Sequence, residues 1–162
     1  HITGMLRAAE AICAVYPSLD ADLLAAGVVL HDLGKIHEMA SDAMGLVSEY
    51  TTEGLLLGHL VEGAAAVARA GEKLGTRKEL VLMLQHMLIS HHDLPEYGSP
   101  RRPMFPEAEV LHILDLLDAR MFEMAHALGQ IAPGTFTDRI WSLDRKLYRR
   151  LEPDGGEGEG EM

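Results

Sequence analysis

The sequence predicts an all-α fold, a bundle of about five or six helices in one domain. Apolar residues recur at intervals of three and four along most of the chain, which is the spacing of an amphipathic helix. Alternation of period two, which is typical of strands, is never sustained, and we expect no strand. With 162 residues, 48% of them hydrophobic, the chain is long enough for one sizeable core.

Breaking and capping residues delimit the first two predicted helices. An apolar stripe at helical spacing begins at Ile2, and Pro17 brings it to an end. Ser18 or Asp20 can cap the second helix, because their side-chain oxygens accept from free backbone N–H groups. This helix is predicted to continue to the polar run that starts at Ser41.

The third and fourth helices follow the same logic. Thr51 or Thr52 can cap the third, which runs to a glycine-rich stretch ending at Gly75. Thr76 opens the fourth, and Pro95 stops it. Small residues in the third helix predict a close approach to a neighbouring helix.

The last third of the chain begins with a proline-rich loop, residues 93–106. Pro106 suits a first helical position and starts a fifth helix that ends near Gly129. Residues 136–151 are predicted to form a short turn and a final basic helix. A basic run of this kind is a solvated face by default.

The charge of the chain is unevenly distributed. Fourteen basic and 25 acidic residues give a net charge of −11, which argues against general electrostatic attraction to nucleic acid or to an anionic membrane. Five of the acids lie in the glycine-rich segment 151–162, which we expect to be a disordered tail. The helical domain is therefore predicted to span residues 1–150.

The cellular compartment is predicted from features that the sequence lacks. Cys13 is the single cysteine, so an internal disulfide and a cysteine-based zinc site are excluded. No apolar stretch approaches the roughly 18 to 20 residues that span a bilayer, and the start has no signal pattern. We expect a cytoplasmic protein that does not bind membranes.

Polar residues at apolar positions of separate helices predict a metal site. One such histidine is more often a satisfied core residue than a ligand, but five helices each offer a ligand-type residue toward the interior. Coordination of metal would satisfy all of them together. These residues are His1, His31 with Asp32, His59, His91 and Asp115.

The same residues carry a resemblance to a known family. The order of His1, the His31-Asp32 pair and Asp115 resembles the HD-domain superfamily of metal-dependent phosphohydrolases. The added His59 and the pair His91-His92 are similar to the expanded pattern that holds two metals. Further segments resemble the catalytic domain of bacterial 3′-to-5′ exoribonucleases that join an OB-fold to an HD domain. They are Tyr50-Thr51-Thr52-Glu53-Gly54, Gly58-His59, Ser90-His91-His92, Gly98-Ser99-Pro100 and Leu117-Asp118-Ala119-Arg120. The local motif His31-Asp32-Leu33-Gly34-Lys35 has the form that the HD-domain superfamily commonly uses.

The resemblance implies an HD-domain helical bundle with two divalent ions bridged by Asp32. Imidazole and carboxylate ligands suit manganese, iron, magnesium or zinc and do not choose among them. The implied reaction is hydrolysis of single-stranded RNA from its 3′ end to nucleoside monophosphates, by water that the two metals activate. An upstream OB-fold domain outside this chain is implied as a partner, and homo-oligomerisation is plausible.

Roles for individual residues follow from the same resemblance. Asp32 and Lys35 are the expected catalytic residues, and Lys35 lies on the side of a helix from which it could reach a substrate phosphate. His92 is expected to bind substrate, and its roles as a donor to a ligand, a leaving-group acid or an additional ligand stay open. Independently of the resemblance, Arg101 and Arg102 form a basic pair that is a solvated face by default; if the substrate is RNA, they and the basic residues near the end of the chain are the first expected to contact its phosphates. Asp118 either bonds a ligating histidine or serves in an ordinary ion pair or cap.

Two other functions stay open on the sequence. One is a phosphohydrolase that acts on a mononucleotide or another small phosphate ester. The other is a regulatory module that keeps the fold without turnover. A substrate panel of oligoribonucleotides and monophosphates separates them.

Overall fold

The computed structural model describes residues 1–41 and 47–151, and its secondary structure is dominated by helices, as predicted. Residues 151–162 were predicted to be a disordered tail, and all of them after Leu151 lie outside the described residues. The elements in chain order are α1 (Ile2–Val15), α2 (Ala21–Leu30), α3 (Lys35–Glu38), β1 (Met39–Ser41), β2 (Val47–Tyr50), α4 (Thr52–Leu74), α5 (Lys78–Ser90), a 3₁₀ turn (Pro95–Tyr97) and α6 (Pro106–Gly129).

Two of the predicted caps are present. The Asp20 side chain accepts from the backbone N–H of Leu23 at 3.0 Å, and the Thr51 side chain accepts from that of Gly54 at 2.9 Å. Gly75 ends α4 in the left-handed conformation, with φ of +65°.

The prediction that no strand would occur was wrong. β1 and β2 pair as a small antiparallel hairpin, with Met39 opposite Tyr50. The second helix is also shorter than predicted, because α2 ends at Leu30 and the chain turns before the four-residue α3. This break displaces His31 and Asp32 from the helix into the turn.

The chain divides into two compact units, and the boundary falls after Asp118. Residues 1–118 form the first unit, with a core contributed by α1, α2, α4, α5 and the start of α6. Its most completely buried side chains are Met5, Leu24, Val28, Met87, Leu88 and Leu111.

The described residues from Ala119 onward form the second unit, and here the predicted final helix was wrong. Residues 134–149 instead run as two irregular antiparallel segments, in which Phe136 bridges to Tyr148 and Ile140 to Arg145. None of the helices within residues 1–41 and 47–151 combines the length and apolar character that a membrane span needs.

Candidate metal centre

The turn after α2 presents the adjacent pair His31 and Asp32. His31 is fully buried, and its Nδ1 donates to the carbonyl oxygen of Val28 at 2.8 Å. Because a carbonyl only accepts, Nδ1 carries the proton and Nε2 is left to bind another group. Nε2 lies 3.4 Å from Oδ2 of Asp32.

His91, at the end of α5, is held in the same way. Its Nδ1 donates to the carbonyl oxygen of Leu88 at 2.8 Å, three residues earlier, and the ring is buried. His112 donates from its own Nδ1 to the carbonyl oxygen of His91 at 2.8 Å. The His91 Nε2 atom lies 3.9 Å from Oδ1 of Asp32.

His59 reaches the same place through a kink in α4. Gly58 has φ of +70° and ψ of 162°, a conformation that favours glycine, and it interrupts the helix just before His59. Both Glu38 oxygens bond His59: Oε2 lies 3.0 Å from its Nδ1, and Oε1 accepts from its backbone N–H at 3.2 Å. Its Nε2 faces Oδ1 of Asp32 at 3.7 Å.

Close packing of backbone brings these segments together. A Cβ on Gly34 would stand 2.0 Å from the carbonyl oxygen of His59, and one on Gly54 would stand 2.3 Å from that of Glu38. Only glycine fits such contacts, because the opposing atoms are backbone and cannot rotate away. The close approach predicted for the small residues of α4 is therefore present at Gly54.

A second group of ligand-type atoms lies on the other side of His31. Asp115, in α6, places Oδ1 3.3 Å from Nε2 of His1 and 3.8 Å from Nε2 of His31. Asp118 accepts from Nδ1 of His1 at 2.8 Å. Of the alternatives for Asp118, the bond to a histidine is the one present.

Three buried polar atoms at this centre have no hydrogen-bond partner among the described residues. They are Oδ1 of Asp32, Nε2 of His59 and Nε2 of His91. Leaving such atoms unpaired costs free energy, and a cation between them would satisfy all three. Two ligand atoms that each lie about 2.1 Å from one ion can be no more than about 4.2 Å apart. The distances of 3.7 and 3.9 Å to Asp32 fit that limit.

The cluster can be divided into three overlapping groups of candidate ligands. Within each group the ligand atoms all lie within 4.8 Å of one another. The groups are His59 with His91 and His92, His1 with His31 and Asp32, and His31 with His91 and Asp115. The arrangement of donors therefore fits divalent metal and offers room for more than one ion.

The protonation states at the centre suit a metal site. Burial raises the pKa of Asp32, but hydrogen bonds from His31 and Lys35 outweigh it and hold the pKa well below its ordinary value. Burial lowers the pKa of His91 to about 3, helped by the charges of neighbouring histidines. Asp32 is therefore ionised and His91 neutral at pH 7, as ligands must be.

His31 and Asp115 behave differently. Burial lowers the pKa of His31, but the hydrogen bond to Asp32, the charges of Asp32 and Asp115 and the bond to Val28 together outweigh burial and raise the pKa. Burial raises the pKa of Asp115, partly offset by the charge of His31. Metal that binds at His31 would displace a proton shared with carboxylates.

The predicted substrate-binding residues are more dispersed. Lys35 donates to Oδ2 of Asp32 at 2.7 Å and keeps part of its side chain exposed. His92 donates from Nδ1 to the carbonyl oxygen of Tyr97 at 2.7 Å, with its ring 4.2 Å from that of His91. Arg101 and Arg102 are exposed in the following loop, where Arg102 pairs with Asp93, 3.6 Å away.

Glu38 was not predicted from the sequence. It lies three residues beyond Lys35, and in the described structure both of its carboxylate oxygens bond His59. No periodicity marks this residue, because its role depends on a contact between α3 and α4 and on the kink at Gly58. An acidic residue soon after the His31–Lys35 motif is the one signal that could have indicated it.

Comparisons with known proteins agree with this geometry. The profile of the HD domain matches residues 1–120. A 3′-5′ exoribonuclease YhaM from Bacillus licheniformis is 46% identical over 148 residues, which cover 91% of this chain and 46% of the relative. The exoribonuclease of the same name from Bacillus subtilis gives the same figures, and the one from a Geobacillus species is 45% identical. The chain spans about half the length of these relatives. No solved structure matches it.

Proposed function

The chain belongs to the HD-domain family, and from this premise we propose that it is the catalytic domain of a metal-dependent 3′-to-5′ exoribonuclease. The substrate is single-stranded RNA and the products are nucleoside monophosphates. The observation that carries the proposal is the convergence of three unpaired buried atoms, on Asp32, His59 and His91. The names of the relatives at 45–46% identity support the choice of RNA.

These residues would hold two divalent ions. His59, His91 and His92 would be ligands of one ion. His1, His31 and Asp115, whose ligand atoms lie 3.3 to 3.8 Å apart, would be ligands of the other, and Asp32 would contribute a carboxylate. When bound, the ions lower the pKa of water and offset the negative charge of the phosphodiester. Manganese, iron, magnesium and zinc all suit these ligands.

The remaining residues position these ligands and the substrate. Glu38 fixes the proton of His59 on Nδ1, so that Nε2 faces the centre. Asp118 does the same for His1. Lys35 holds Asp32 and, from its exposed position, donates to a non-bridging phosphate oxygen. His92 donates from Nδ1 to the carbonyl oxygen of Tyr97, which leaves its Nε2 without a proton and able to bind metal beside His59 and His91.

The test is hydrolysis of an oligouridylate labelled at its 5′ end. Chelation should abolish shortening from the 3′ end, and Mn²⁺ should restore it. Asp32→Asn and His31→Ala should lower the rate at least 100-fold, whereas His126→Ala changes an exposed histidine that belongs to none of the candidate ligand groups and should have no effect. Unchanged turnover after complete loss of metal refutes the proposal.

A substrate panel tests the other two functions. Hydrolysis of nucleoside monophosphates without cleavage of oligoribonucleotides would assign a small-molecule phosphohydrolase. Metal binding without turnover of either class would assign a regulatory module. The OB-fold partner, self-association, the cytoplasmic location and a domain spanning residues 1–150 stay predictions from the sequence.

A further inference from the structure

The second unit ends in a two-stranded arm, residues 134–150. Its strands are joined by backbone hydrogen bonds, among them Thr137 N–H to the oxygen of Leu147 at 2.9 Å and Arg149 N–H to that of Thr135 at 2.9 Å. Trp141 begins the turn at its tip, closed by the bond from Asp144 N–H to the oxygen of Trp141 at 3.2 Å.

One face of the arm is buried and the other carries two aromatic rings. Thr137 and Leu147 are buried. Successive side chains on a strand point to opposite faces, so Phe136 and Tyr148 project the other way. They are 64% and 47% exposed, and their ring centroids lie 5.0 Å apart. Trp141 is 93% exposed. Burial of apolar surface does not explain these three rings.

The charge of the arm is opposite to that of the chain. Residues 136–150 hold five basic and two acidic residues, a net charge of +3, so the rest of the chain carries −14. Arg139 pairs with Asp144, and Arg149 donates to the carbonyl oxygens of Leu128 and Ile131. The other three basic side chains are exposed. They belong to Arg145, Lys146 and Arg150.

Exposed rings beside cations have a specific chemical meaning. Bases stack on aromatic side chains while cations contact the backbone phosphates, which is how proteins bind single strands without reading their sequence. Aromatic residues and arginine also occur in protein interfaces, but the net charge of +3 on the arm, against −14 on the rest of the chain, and the exposed Lys146 favour a polyanion as the partner.

We propose that the arm is a binding surface for single-stranded RNA. Bases stack on the pair Phe136 and Tyr148 and on Trp141, and the exposed Arg145, Lys146 and Arg150 contact phosphates. This inference rests on the proposed function for the identity of its ligand, and it adds a surface outside the metal centre that determines affinity for the strand.

Trp141 is the one tryptophan of the chain, so its fluorescence reports on the arm directly. The whole chain, kept in a chelator to prevent cleavage, is titrated with an oligouridylate. Stacking should quench the fluorescence. Three phosphate contacts should weaken binding roughly 20-fold between 50 and 200 mM salt, since the slope for single strands is about 0.7 per contact.

Two sets of variants separate the contributions. Replacing Phe136 and Tyr148 together by leucine should weaken binding about tenfold or more, because each stacked base contributes about 1–3 kcal/mol. Replacing Arg145, Lys146 and Arg150 by glutamine should remove most of the salt dependence of the affinity for RNA. Phe122→Leu, which removes an exposed ring outside the arm, is the matched control and should leave the affinity unchanged.

The outcomes distinguish this inference from the proposed function. Metal-dependent hydrolysis of bis(p-nitrophenyl) phosphate should survive in the arm variants while the KM for RNA rises. If RNA does not quench the fluorescence, or if the arm variants bind RNA as tightly as the original chain, the inference about the arm is refuted. The proposed enzyme function is unaffected by that result. Quenching by RNA in a chain that hydrolyses no phosphodiester would support RNA binding by the arm and refute the proposed enzyme function. Fluorescence that changes with protein concentration and not with RNA would assign the arm to self-association and overturn the inference.

Discussion

Gly34→Ala tests how closely the metal centre depends on backbone packing. Gly34 has φ of −63° and ψ of −22°, so alanine meets no conformational penalty there. The added Cβ would stand 2.0 Å from the carbonyl oxygen of His59, whereas ordinary contact begins near 3.4 Å. The turn and α4 must therefore separate by about 1.4 Å, and overpacking of this kind costs about 1–3 kcal/mol in free energy of unfolding.

The same movement should weaken metal binding. Opening by 1.4 Å along the line from Asp32 to His59 would take their 3.7 Å separation to 5.1 Å. That exceeds the limit of about 4.2 Å for two ligands of one ion. We expect Mn²⁺ to bind at least about tenfold more weakly, which corresponds to about 1.4 kcal/mol.

Two measurements on the same preparations decide the matter. Urea unfolding of the metal-free protein gives the stability change, and calorimetric titration with Mn²⁺ gives the affinity. Gly129→Ala is the matched control, because no heavy atom lies within 4 Å of a Cβ at that position. If Gly34→Ala and Gly129→Ala have the same stability and the same Mn²⁺ affinity, the packing argument is refuted.

Three further predictions follow from single contacts. Glu38→Ala should weaken Mn²⁺ binding about 10- to 100-fold, because it frees the ring of His59. Glu38→Gln should weaken Mn²⁺ binding less. The control for the calorimetric titration is Glu49→Ala, at an exposed position of a strand. Lys35→Met should lower kcat on RNA about 100-fold with less than a threefold change in Mn²⁺ affinity, and an equal loss of both would assign the lysine to holding the ligand alone. Burial lowers the pKa of His86 below 6.5 in the folded chain. As the pH falls, the unfolded chain therefore binds a proton at His86 at a higher pH than the folded chain does. The stability that His86 contributes should be complete above pH 6.5 and decline below it. Urea unfolding at pH 5.5 and 7.5 should show a smaller pH difference in His86→Gln, and an unchanged difference would contradict this assignment.

Much of the candidate metal centre could be predicted from the sequence because its candidate ligands interrupt apolar stripes. His59, His91 and Asp115 each occupy a position where helical spacing calls for a hydrophobic residue, and such an exception is visible without any structure. Glu38 was not predictable in this way. Its bonds to His59 join segments 21 residues apart and depend on the kink at Gly58.

Two of the errors in secondary structure have local causes. The final helix was predicted because four apolar residues are spaced by four, seven and four positions, as on one face of a helix; they are Phe136, Ile140, Leu147 and Leu151. The structure instead pairs two segments of the chain, and such a contact is not visible in local spacing. The hairpin of β1 and β2 has strands of only three and four residues, too short for an alternating pattern to be recognised.

The backward reach of His31 and His91 to the carbonyl three residues earlier makes each ring a rigid extension of its own helix. The rotamers are fixed when the helices fold, so a divalent ion that bound at the candidate centre would not need to order them. The direction of each Nε2 atom is thus determined by local structure alone, one helical turn and the imidazole at its end. Protein designers could graft that unit onto the end of any helix that faces a cavity.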